Sequence, residues 1–500
     1  MQKLPVIKKL FAFFKKFDTS SRVIIVLCII FFLLHIPFFS LPPFGDANVY
    51  YAGVFEVLKN HFNPFIQFPG YKPPFLFLLT AFLFTLFRPS IIIGALLTAF
   101  AASCTLWFTY ALGKTLFNKQ AAIAATFLLL TIPIFLSQSL QFTDAIIITP
   151  LILASIYYFY TKNTLGYLIS TSLAVLTRET CLFVPLFFGV IALWKKLRTP
   201  HTKEHLSQSV VLLAPLIPFI LWMYINKQVF GWHLPPENVN YFVFDTTIFQ
   251  RIIYNFSEII RYSGSFILFT IISIYIIMYA IKKVRLTDIQ QHAARLCIIG
   301  YLFYLTLYSI GPFHPRYMLF LYPFLCVLTG GAIYTIWKKQ LAHVITGGII
   351  ILFLAFNALL CTLPNTYWGE TDLNIVHVTR LYQQSMKTIE TRFPHALVIT
   401  MPWIYAWNDT HFGNTTSAVS SSRHTWNSFL QEKQQHQMIC SSAKKQGFDP
   451  IIFIHQSDFI APPYVLREKV LLNKQFNTPM DTFDYHLLFQ VQCNNLITIP

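Results

Sequence analysis

The 500-residue sequence contains little charge: 11% of its residues are Asp, Glu, Lys or Arg, whereas 55% are apolar. About a quarter of the residues in soluble globular domains are charged. The composition therefore excludes a soluble enzyme for most of the chain and predicts a polytopic membrane protein.

Acidic residues are especially scarce, with 20 Asp and Glu against 37 Lys and Arg and a net charge of +17. In a soluble protein such an excess would suggest nucleic acid binding. Here the basic residues lie in short loops between apolar runs, so no nucleic acid partner is needed. The sequence also lacks an internal repeat, a glycine-rich phosphate loop and a Cys/His cluster with zinc spacing, which argues against a P-loop or a zinc site.

Long apolar runs are abundant. A helix needs about 20 apolar residues to cross a bilayer. Runs near or above this length lie at 22–41, 90–112, 120–137, 145–160, 208–226, 265–281, 293–311, 317–337 and 342–361. The stretch 74–87 is short enough to indicate an interfacial or re-entrant element rather than a crossing. The stretch 165–194 is interrupted by Arg178 and Glu179, so it forms either one helix or two short ones.

Positive charge decides between these topologies, because Lys and Arg in short loops remain cytoplasmic. If 74–87 does not cross and 165–194 is a hairpin, 19 basic residues and only three acidic ones fall on the cytoplasmic side. The sequence thus predicts a polytopic α-helical membrane protein with about eleven transmembrane helices. Its N-terminus is expected in the cytoplasm, most simply at a bacterial inner membrane.

Residues 363–500 differ from residues 1–362, because their charges balance and no spanning run remains. We expect 1–362 to form a multi-pass transmembrane domain and 363–500 a small exoplasmic, or periplasmic, α/β domain. Its predicted elements are a helix at 372–392 and strands at 396–401, 450–455 and 485–491. This segment contains Cys440 and Cys493, between which an exported domain permits a disulfide.

Charged residues on the outer face gather in a few short segments. Such groups at membrane depth are costly and usually face a cavity or a partner. The candidate site residues are Asp46 and Lys72 in the first outer loop, Asp144 at the head of a helix, Arg178 and Glu179 at the hairpin tip, and His314, Arg316 and Tyr322 before a late helix. Two carboxylates with three basic residues on one face indicate a site more strongly together than singly.

Each residue also has a simpler interpretation. Carboxylates at helix starts accept hydrogen bonds from orphan amides, and long basic side chains extend to the membrane surface. The simpler interpretations are helix capping by Asp46 and Asp144, snorkelling by Lys72 and Arg316, an Arg178–Glu179 pair, and interfacial hydrogen bonding by His61 and His314.

The combined set suits transfer from a lipid-linked phosphate donor. Lys and Arg can hold the phosphate at the interface and stabilise the charge that develops as it leaves. An acceptor hydroxyl that attacks an anomeric carbon needs a carboxylate to take its proton, and Asp46 suits that role. Asp144 would orient the acceptor or help hold a cation.

The order of the short motifs resembles the C-type (GT-C) membrane glycosyltransferases. These motifs are an Asp soon after the first helix, Lys72-Pro-Pro, Thr143-Asp144 opening a later helix, a Leu176-Thr-Arg hairpin tip, and an Arg316-Tyr run ending in Leu-Tyr-Pro. The branch resembled most is that of protein O-mannosyltransferases and the bacterial lipid A aminoarabinose transferase. The resemblance spans about residues 1–340.

This resemblance implies a polyprenyl-phosphate sugar donor, inversion at the anomeric carbon and a catalytic Asp in the first outer loop. It assigns Asp46 as the base and Lys72 as a phosphate ligand. Where the family often has a second acidic residue, this sequence has Ala47 and then Asn48. We therefore expect no cofactor and metal-independent transfer, with a divalent cation as the alternative.

Two other functions compete with this one. A transporter or flippase of lipid-linked sugars would also need cations near the membrane, although transporters commonly contain internal repeats. An O-antigen ligase or polymerase would depend on basic residues in a large outer loop, such as Arg251 and Arg261 in 227–264. For the glycosyltransferase hypothesis, the acceptor is a glycolipid, a glycan or a protein.

Overall fold

The computed structural model describes residues 18–43, 46–65, 72–198, 204–233, 246–263, 265–311 and 314–360, and selected positions between 376 and 491. The helices within these ranges are α1 (Thr19–Leu34), α2 (Asp46–Lys59), α3 (Phe75–Phe87), α4 (Ile91–Leu116), α5 (Lys119–Leu130), α6 (Pro133–Gln138), α7 (Asp144–Tyr160), α8 (Thr164–Val175), α9 (Phe183–Arg198), α10 (Glu204–Leu213), α11 (Leu216–Phe230), α12 (Ile248–Ser263), α13 (Phe266–Ala280), α14 (Asp288–Ile310), α15 (Tyr322–Ile336) and α16 (Lys339–Leu360). Short 3-10 helices lie at Ile36–Phe38, Glu179–Leu182 and Pro315–Leu321.

Four helical segments among the described residues are long and apolar enough to cross a membrane by themselves. They are Thr19–Phe38, Ile91–Leu116, Asp288–Ile310 and Pro315–Ile336. Most of the other apolar helices have 10–17 residues. Broad apolar faces of these helices remain exposed, as expected where lipid rather than water is the solvent.

Proline divides two apolar runs that the sequence predicts as single helices. The run 120–137 contains α5 and α6, which separate just before Pro133, and the run 208–226 contains parts of α10 and α11, which separate at Pro215. Proline has no backbone N–H and disfavours helical conformation in the residue before it. The prediction of one continuous helix in each run is therefore wrong.

The hairpin prediction for 165–194 is confirmed. α8 ends at Val175, a 3-10 turn follows at Glu179–Leu182, and α9 starts directly after it. Arg178 adopts an extended backbone conformation between the two helices. The charged pair therefore marks the break, as expected for residues that are costly inside a membrane helix.

α3 starts and ends at the same end of the helix bundle. The amide of Phe75 at its start donates to the carbonyl of Leu176 in the hairpin tip (2.9 Å). Just beyond its end, the Tyr51 hydroxyl of α2 donates to the carbonyl of Ile91 (2.8 Å). Because both termini of α3 lie at the same end of the bundle, these contacts support an element that does not cross the membrane.

Ion pairs identify the two ends of the bundle. At one end Asp18, before α1, contacts Lys114 near the end of α4 and Lys119 at the start of α5. At the other end lie the first residues of α2 and α7 together with the hairpin tip. We call these the Asp18 end and the Asp46 end. All eight predicted site residues lie at or near the Asp46 end.

Small residues bring α5 and α15 into close contact. A Cβ atom added to Gly330 of α15 would lie 2.5 Å from the carbonyl oxygen of Ala121 in α5. Ala122 and Ala125 of α5 are fully buried. Small side chains let membrane helices approach closely enough for extensive van der Waals contact. α15 is accordingly buried along its length from Tyr322 to Ile333.

Among the described positions of the C-terminal part, five strands form one sheet in the order β2-β1-β3-β5-β4. The strands are β1 (Leu397–Ile399), β2 (Ser421–Ser422), β3 (Ile451–Ile454), β4 (Lys469–Asn477) and β5 (Thr482–Val491). β1 pairs in parallel with β2 and β3, whereas β5 pairs antiparallel with β3 and β4.

The three predicted strands coincide with or overlap β1, β3 and β5, and the described positions between 376 and 392 are helical. The proposed boundary at 362/363 and both Cys440 and Cys493 lie outside the described residues. The division into two domains, the outer location of the second and the disulfide stay predictions.

Candidate active site

Asp46 is the first residue of α2 and forms an ion pair with Arg316. The Arg316 Nη2 atom donates to Asp46 Oδ2 across 2.6 Å. The Arg316 side chain is 5% exposed, whereas that of Asp46 is 40% exposed. A charge-assisted bond of this kind fixes the carboxylate while leaving part of it accessible. Asp46 can therefore be held in place and still receive a proton from a bound molecule.

A second ion pair lies deeper in the same cluster. Arg178 Nη1 lies 3.6 Å from Asp144 Oδ1, and their side chains are 10% and 12% exposed. Thr143 occupies the N-cap position of α7 without a side-chain capping bond, so Asp144 faces Arg178 from the first turn instead of capping the helix. Burying two charges is tolerated here because each compensates the other.

The ring of Tyr317 joins the two ion pairs. The guanidinium carbon of Arg178 lies 4.3 Å from the centre of this ring, and that of Arg316 lies 5.4 Å from it. Tyr308 adds a second ring 5.8 Å from Arg178. Guanidinium groups are attracted to aromatic faces, most strongly where water is excluded. The cluster is thus one connected unit of two carboxylates, two arginines and aromatic rings.

Lys72 reaches the same region through Tyr50. Its Nζ atom donates to the Tyr50 hydroxyl (2.9 Å) and lies 4.2 Å from the ring centre. Tyr50 follows Asp46 by four residues in α2, which places both on one helix face. Tyr50 is buried and stacks on Phe77 at 5.8 Å. Sequence reasoning did not assign Tyr50 a role, although its spacing from Asp46 is the signal that would have found it.

The amphipathic helix α12 supplies a further polar contact that sequence reasoning missed. Asn255 is buried and its amide donates to the Ser309 hydroxyl at the end of α14 (2.9 Å). Glu258, one turn further along α12, is also buried. Polar residues three apart on the buried face of an otherwise amphipathic helix would have indicated this contact.

The other predicted site residues lie around this cluster without joining its ion pairs. Glu179 is half-buried beside Arg178 and forms no ion pair among the residues that the structure describes. The alternative of an Arg178–Glu179 pair is therefore wrong, since Arg178 contacts Asp144. The His314 ring centre lies 5.7 Å from that of Tyr317. Tyr322 is buried at the start of α15.

Metal ligands are not grouped in the part of the chain that the structure describes, where no three His, Cys, Asp or Glu side chains converge. Metal-independent transfer stays a prediction, and so do the roles of the individual site residues. The chemistry offered by the cluster itself is a partly exposed carboxylate beside three cations.

Comparisons with known proteins bear on the family and the fold of the chain. Residues 71–222 match the family model described as dolichyl-phosphate-mannose-protein mannosyltransferase. A sequence search of curated proteins returns no match. The matched segment contains Lys72, Asp144 and Arg178, although it covers less than half of the chain.

Solved structures resemble nearly the whole chain. ArnT from Cupriavidus metallidurans, solved bound to undecaprenyl phosphate, superposes with a TM-score of 0.55 at 12% identity, covering 94% of this chain and 97% of ArnT. The apo state of ArnT gives 0.56 at 14% identity, with coverage of 93% and 97%. The archaeal oligosaccharyltransferase AglB from Archaeoglobus fulgidus, in complex with an inhibitory peptide and a dolichol-phosphate, gives 0.50 at 13% identity, covering 88% of this chain and 70% of AglB.

These matches confirm the predicted resemblance to C-type glycosyltransferases. At such low identity they establish the fold and not the substrate. The chain is an integral membrane protein with the GT-C fold, and its ion-pair cluster lies at one end of the helix bundle.

Proposed function

We propose that this protein is a membrane glycosyltransferase that moves a sugar from a polyprenyl-phosphate donor to a hydroxyl acceptor. The observation that carries the proposal is the Asp46 carboxylate, which is paired with a buried arginine yet remains 40% exposed. Lys72 lies in the same cluster, linked through Tyr50. The family match and the ArnT-like fold support the same reading.

In the proposed reaction Asp46 accepts the proton of the acceptor hydroxyl as its oxygen attacks the anomeric carbon. The bond between that carbon and the donor phosphate oxygen breaks, and its electron pair leaves with the phosphate. Lys72 stabilises the charge that develops on this phosphate. Attack from the face opposite the leaving group inverts the anomeric centre. Asp144, held by Arg178, orients the acceptor.

The proposed topology has eleven crossings, a cytoplasmic N-terminus and the Asp46 cluster on the exoplasmic face. The hairpin at Arg178 and the non-crossing α3 support this count. The excess of basic residues assigned to cytoplasmic loops supports the orientation. The acceptor belongs to the class of glycolipids, glycans or proteins, and the membrane is a bacterial inner membrane.

The test is sugar transfer from a polyprenyl-phosphate sugar in detergent by an Asp46→Asn variant. Asparagine keeps the size of the side chain and can still accept the Arg316 hydrogen bond, but it cannot accept a proton. We expect transfer to fall by about 100-fold or more, the usual contribution of general base catalysis. The melting temperature should be nearly unchanged.

Lys72→Ala tests the role of the phosphate ligand separately from that of the base. We expect this variant to raise the KM for the donor and to lower kcat, because Lys72 both binds the phosphate and stabilises its departure. Lys59→Ala is the matched control, since Lys59 lies in the same outer segment but is exposed outside the cluster. Near wild-type transfer by a well-folded Asp46→Asn protein would exclude the assignment of Asp46 as the base. Absence of transfer by the well-folded wild type would instead favour the transporter alternative.

A further inference from the structure

A cavity of about 590 Å³ lies near the Asp18 end of the bundle, away from the Asp46 cluster. It is lined by the end of α7, the start of α8, the end of α10 and the start of α14. α7 has 17 residues, with Asp144 as its first and Tyr160 as its last. At 1.5 Å per residue the helix separates the two sites by about 25 Å. The cavity is therefore distinct from the candidate active site.

The inner wall of the cavity is apolar and aromatic. Phe159, Tyr167 and Leu212 form part of it. The Tyr167 hydroxyl donates to the carbonyl of Leu212 (3.0 Å). This carbonyl lies in the last turn of α10, where backbone oxygens lose their helical partners. Tyr167 therefore satisfies a backbone carbonyl at the helix break before Pro215. The remaining surface of the wall consists of rings and methyl groups.

Among the described residues that line the cavity, Lys162 and Asp288 place opposite charges at its rim. Lys162 lies in the turn between α7 and α8 with a positive φ of 57°. Asp288 lies in the first turn of α14, where the capping bond is made by the neighbouring Thr287, so the Asp288 carboxylate stays exposed. A rim with both signs of charge above an apolar wall complements a molecule that has a zwitterionic head and an apolar tail.

The surface around the mouth of the cavity is apolar. Leu165 is 68% exposed and Ile289 is 47% exposed. Exposed apolar side chains at this depth of an integral membrane protein contact lipid. A molecule can therefore enter from the bilayer, which favours a lipid over a water-soluble ligand.

We propose that this cavity binds one zwitterionic phospholipid from the leaflet at the Asp18 end. Lys162 pairs with the lipid phosphate, Asp288 pairs with its ammonium group, and one acyl chain lies along Phe159, Tyr167 and Leu212. An anionic lipid would offer the same phosphate and chains but nothing for Asp288. The proposal concerns a site separate from the Asp46 chemistry and stands whether or not transfer occurs.

The test is native mass spectrometry of the full chain in detergent with added phosphatidylethanolamine or phosphatidylglycerol. We expect one phosphatidylethanolamine per chain, retained about tenfold more tightly than phosphatidylglycerol. Asp288→Asn should abolish this preference. Lys162→Asn should weaken both lipids, since asparagine tolerates the positive φ but carries no charge. Leu212→Trp should exclude lipid by filling the cavity.

Lys59→Asn at the opposite end is the control and should bind lipid like the wild type. Asp288 is exposed, so Asp288→Asn tests the proposal even if Leu212→Trp does not fold. Equal retention of both lipids by the wild type, or an unchanged preference in Asp288→Asn, would overturn it. Stronger binding of phosphatidylglycerol would overturn it too and would indicate a general anionic-lipid surface.

Discussion

The carboxylates of Asp18 and Asp46 occupy opposite ends of the bundle and are satisfied very differently. Asp18 Oδ1 accepts from the Ser20 hydroxyl (3.0 Å) and the Ser21 amide (2.8 Å). Its Oδ2 lies 2.7 Å from Lys114 and 3.2 Å from Lys119. Asp46 accepts one hydrogen bond, from Arg316, among the residues that the structure describes.

A carboxylate offers about four acceptor positions. Asp18 uses all of them for the protein, joining α1, α4 and α5, and keeps no capacity for another molecule. Asp46 keeps most of its capacity. Both groups belong to clusters of one or two acids with basic residues, so the charges alone do not distinguish a structural cluster from a candidate active site. The two kinds of cluster differ in how many acceptor positions of the carboxylate remain unused.

Making the same Asp→Asn substitution at each end of the bundle tests this distinction most strongly. Asp46→Asn should lower transfer by about 100-fold or more without loss of stability. Asp18→Asn should retain transfer and lower the free energy of unfolding by about 1 kcal/mol at most, because its ion pairs are partly exposed and weakened by water. Transfer rate per folded molecule and melting temperature are measured for both variants. A loss of transfer in Asp18→Asn with unchanged stability would contradict the comparison.

The buried pair at the Asp46 end should dominate stability there. Asp144→Ala leaves the buried Arg178 without its partner, which costs about 3–5 kcal/mol in comparable sites. Chemical denaturation in detergent measures this loss. A free energy of unfolding equal to that of the wild type would show that Arg178 finds water or another acceptor.

The double variant Asp144→Ala/Arg178→Met is the control for that measurement. It removes both charges, so it should recover most of the stability that Asp144→Ala loses. It should remain inactive if this pair orients substrate. Recovery of stability together with transfer would assign the pair a purely structural role.

Gly330→Ala tests how helix packing towards the Asp18 end contributes to stability without changing any charge. The new methyl group would meet the carbonyl oxygen of Ala121 at 2.5 Å, and a backbone atom cannot move away cheaply. Overpacking of this kind costs about 1–3 kcal/mol. Gly347→Ala in α16 is the matched control, because a Cβ there meets nothing within 4 Å. Equal melting temperatures for the two variants would exclude tight α5–α15 packing.

The smallest expected effect is on pH dependence. The hydrogen bond from Lys114 holds the pKa of Asp18 well below its ordinary value. A lowered pKa in the folded state stabilises the protein above about pH 4, the ordinary value for Asp, and this stabilisation is lost as the pH falls further. The difference in melting temperature between wild type and Asp18→Asn should therefore be full at neutral pH and shrink below about pH 4. A difference that grows on acidification would contradict this sign.

Much of the architecture could be predicted from hydrophobic runs and charge placement. The hairpin at Arg178 followed from the cost of charge inside an apolar run, and the short α3 followed from its length. Local proline effects escaped the same reasoning, because Pro133 and Pro215 lie within runs of unbroken apolar character.

The pairing within the site could not be predicted from sequence. Asp46 and Arg316 are 270 residues apart, and no local pattern links them. The same holds for Asp144 and Arg178, which meet because α7 and α8 run antiparallel. Residue type identified the four charged members of the two ion pairs, whereas only tertiary packing determines which cation meets which carboxylate and where Tyr317 lies.

The lengths of the helices have a consequence for the surrounding bilayer. α8 has 12 residues and α5 has 12, whereas α4 has 26. At 1.5 Å per residue the short helices extend about 18 Å, well below the hydrocarbon thickness of about 30 Å. Such hydrophobic mismatch is relieved by local thinning of the bilayer. We therefore expect the headgroup layer to dip beside the hairpin tip. In the proposed reaction a donor phosphate anchored in that layer would reach the depth of Arg178 without leaving its lipid.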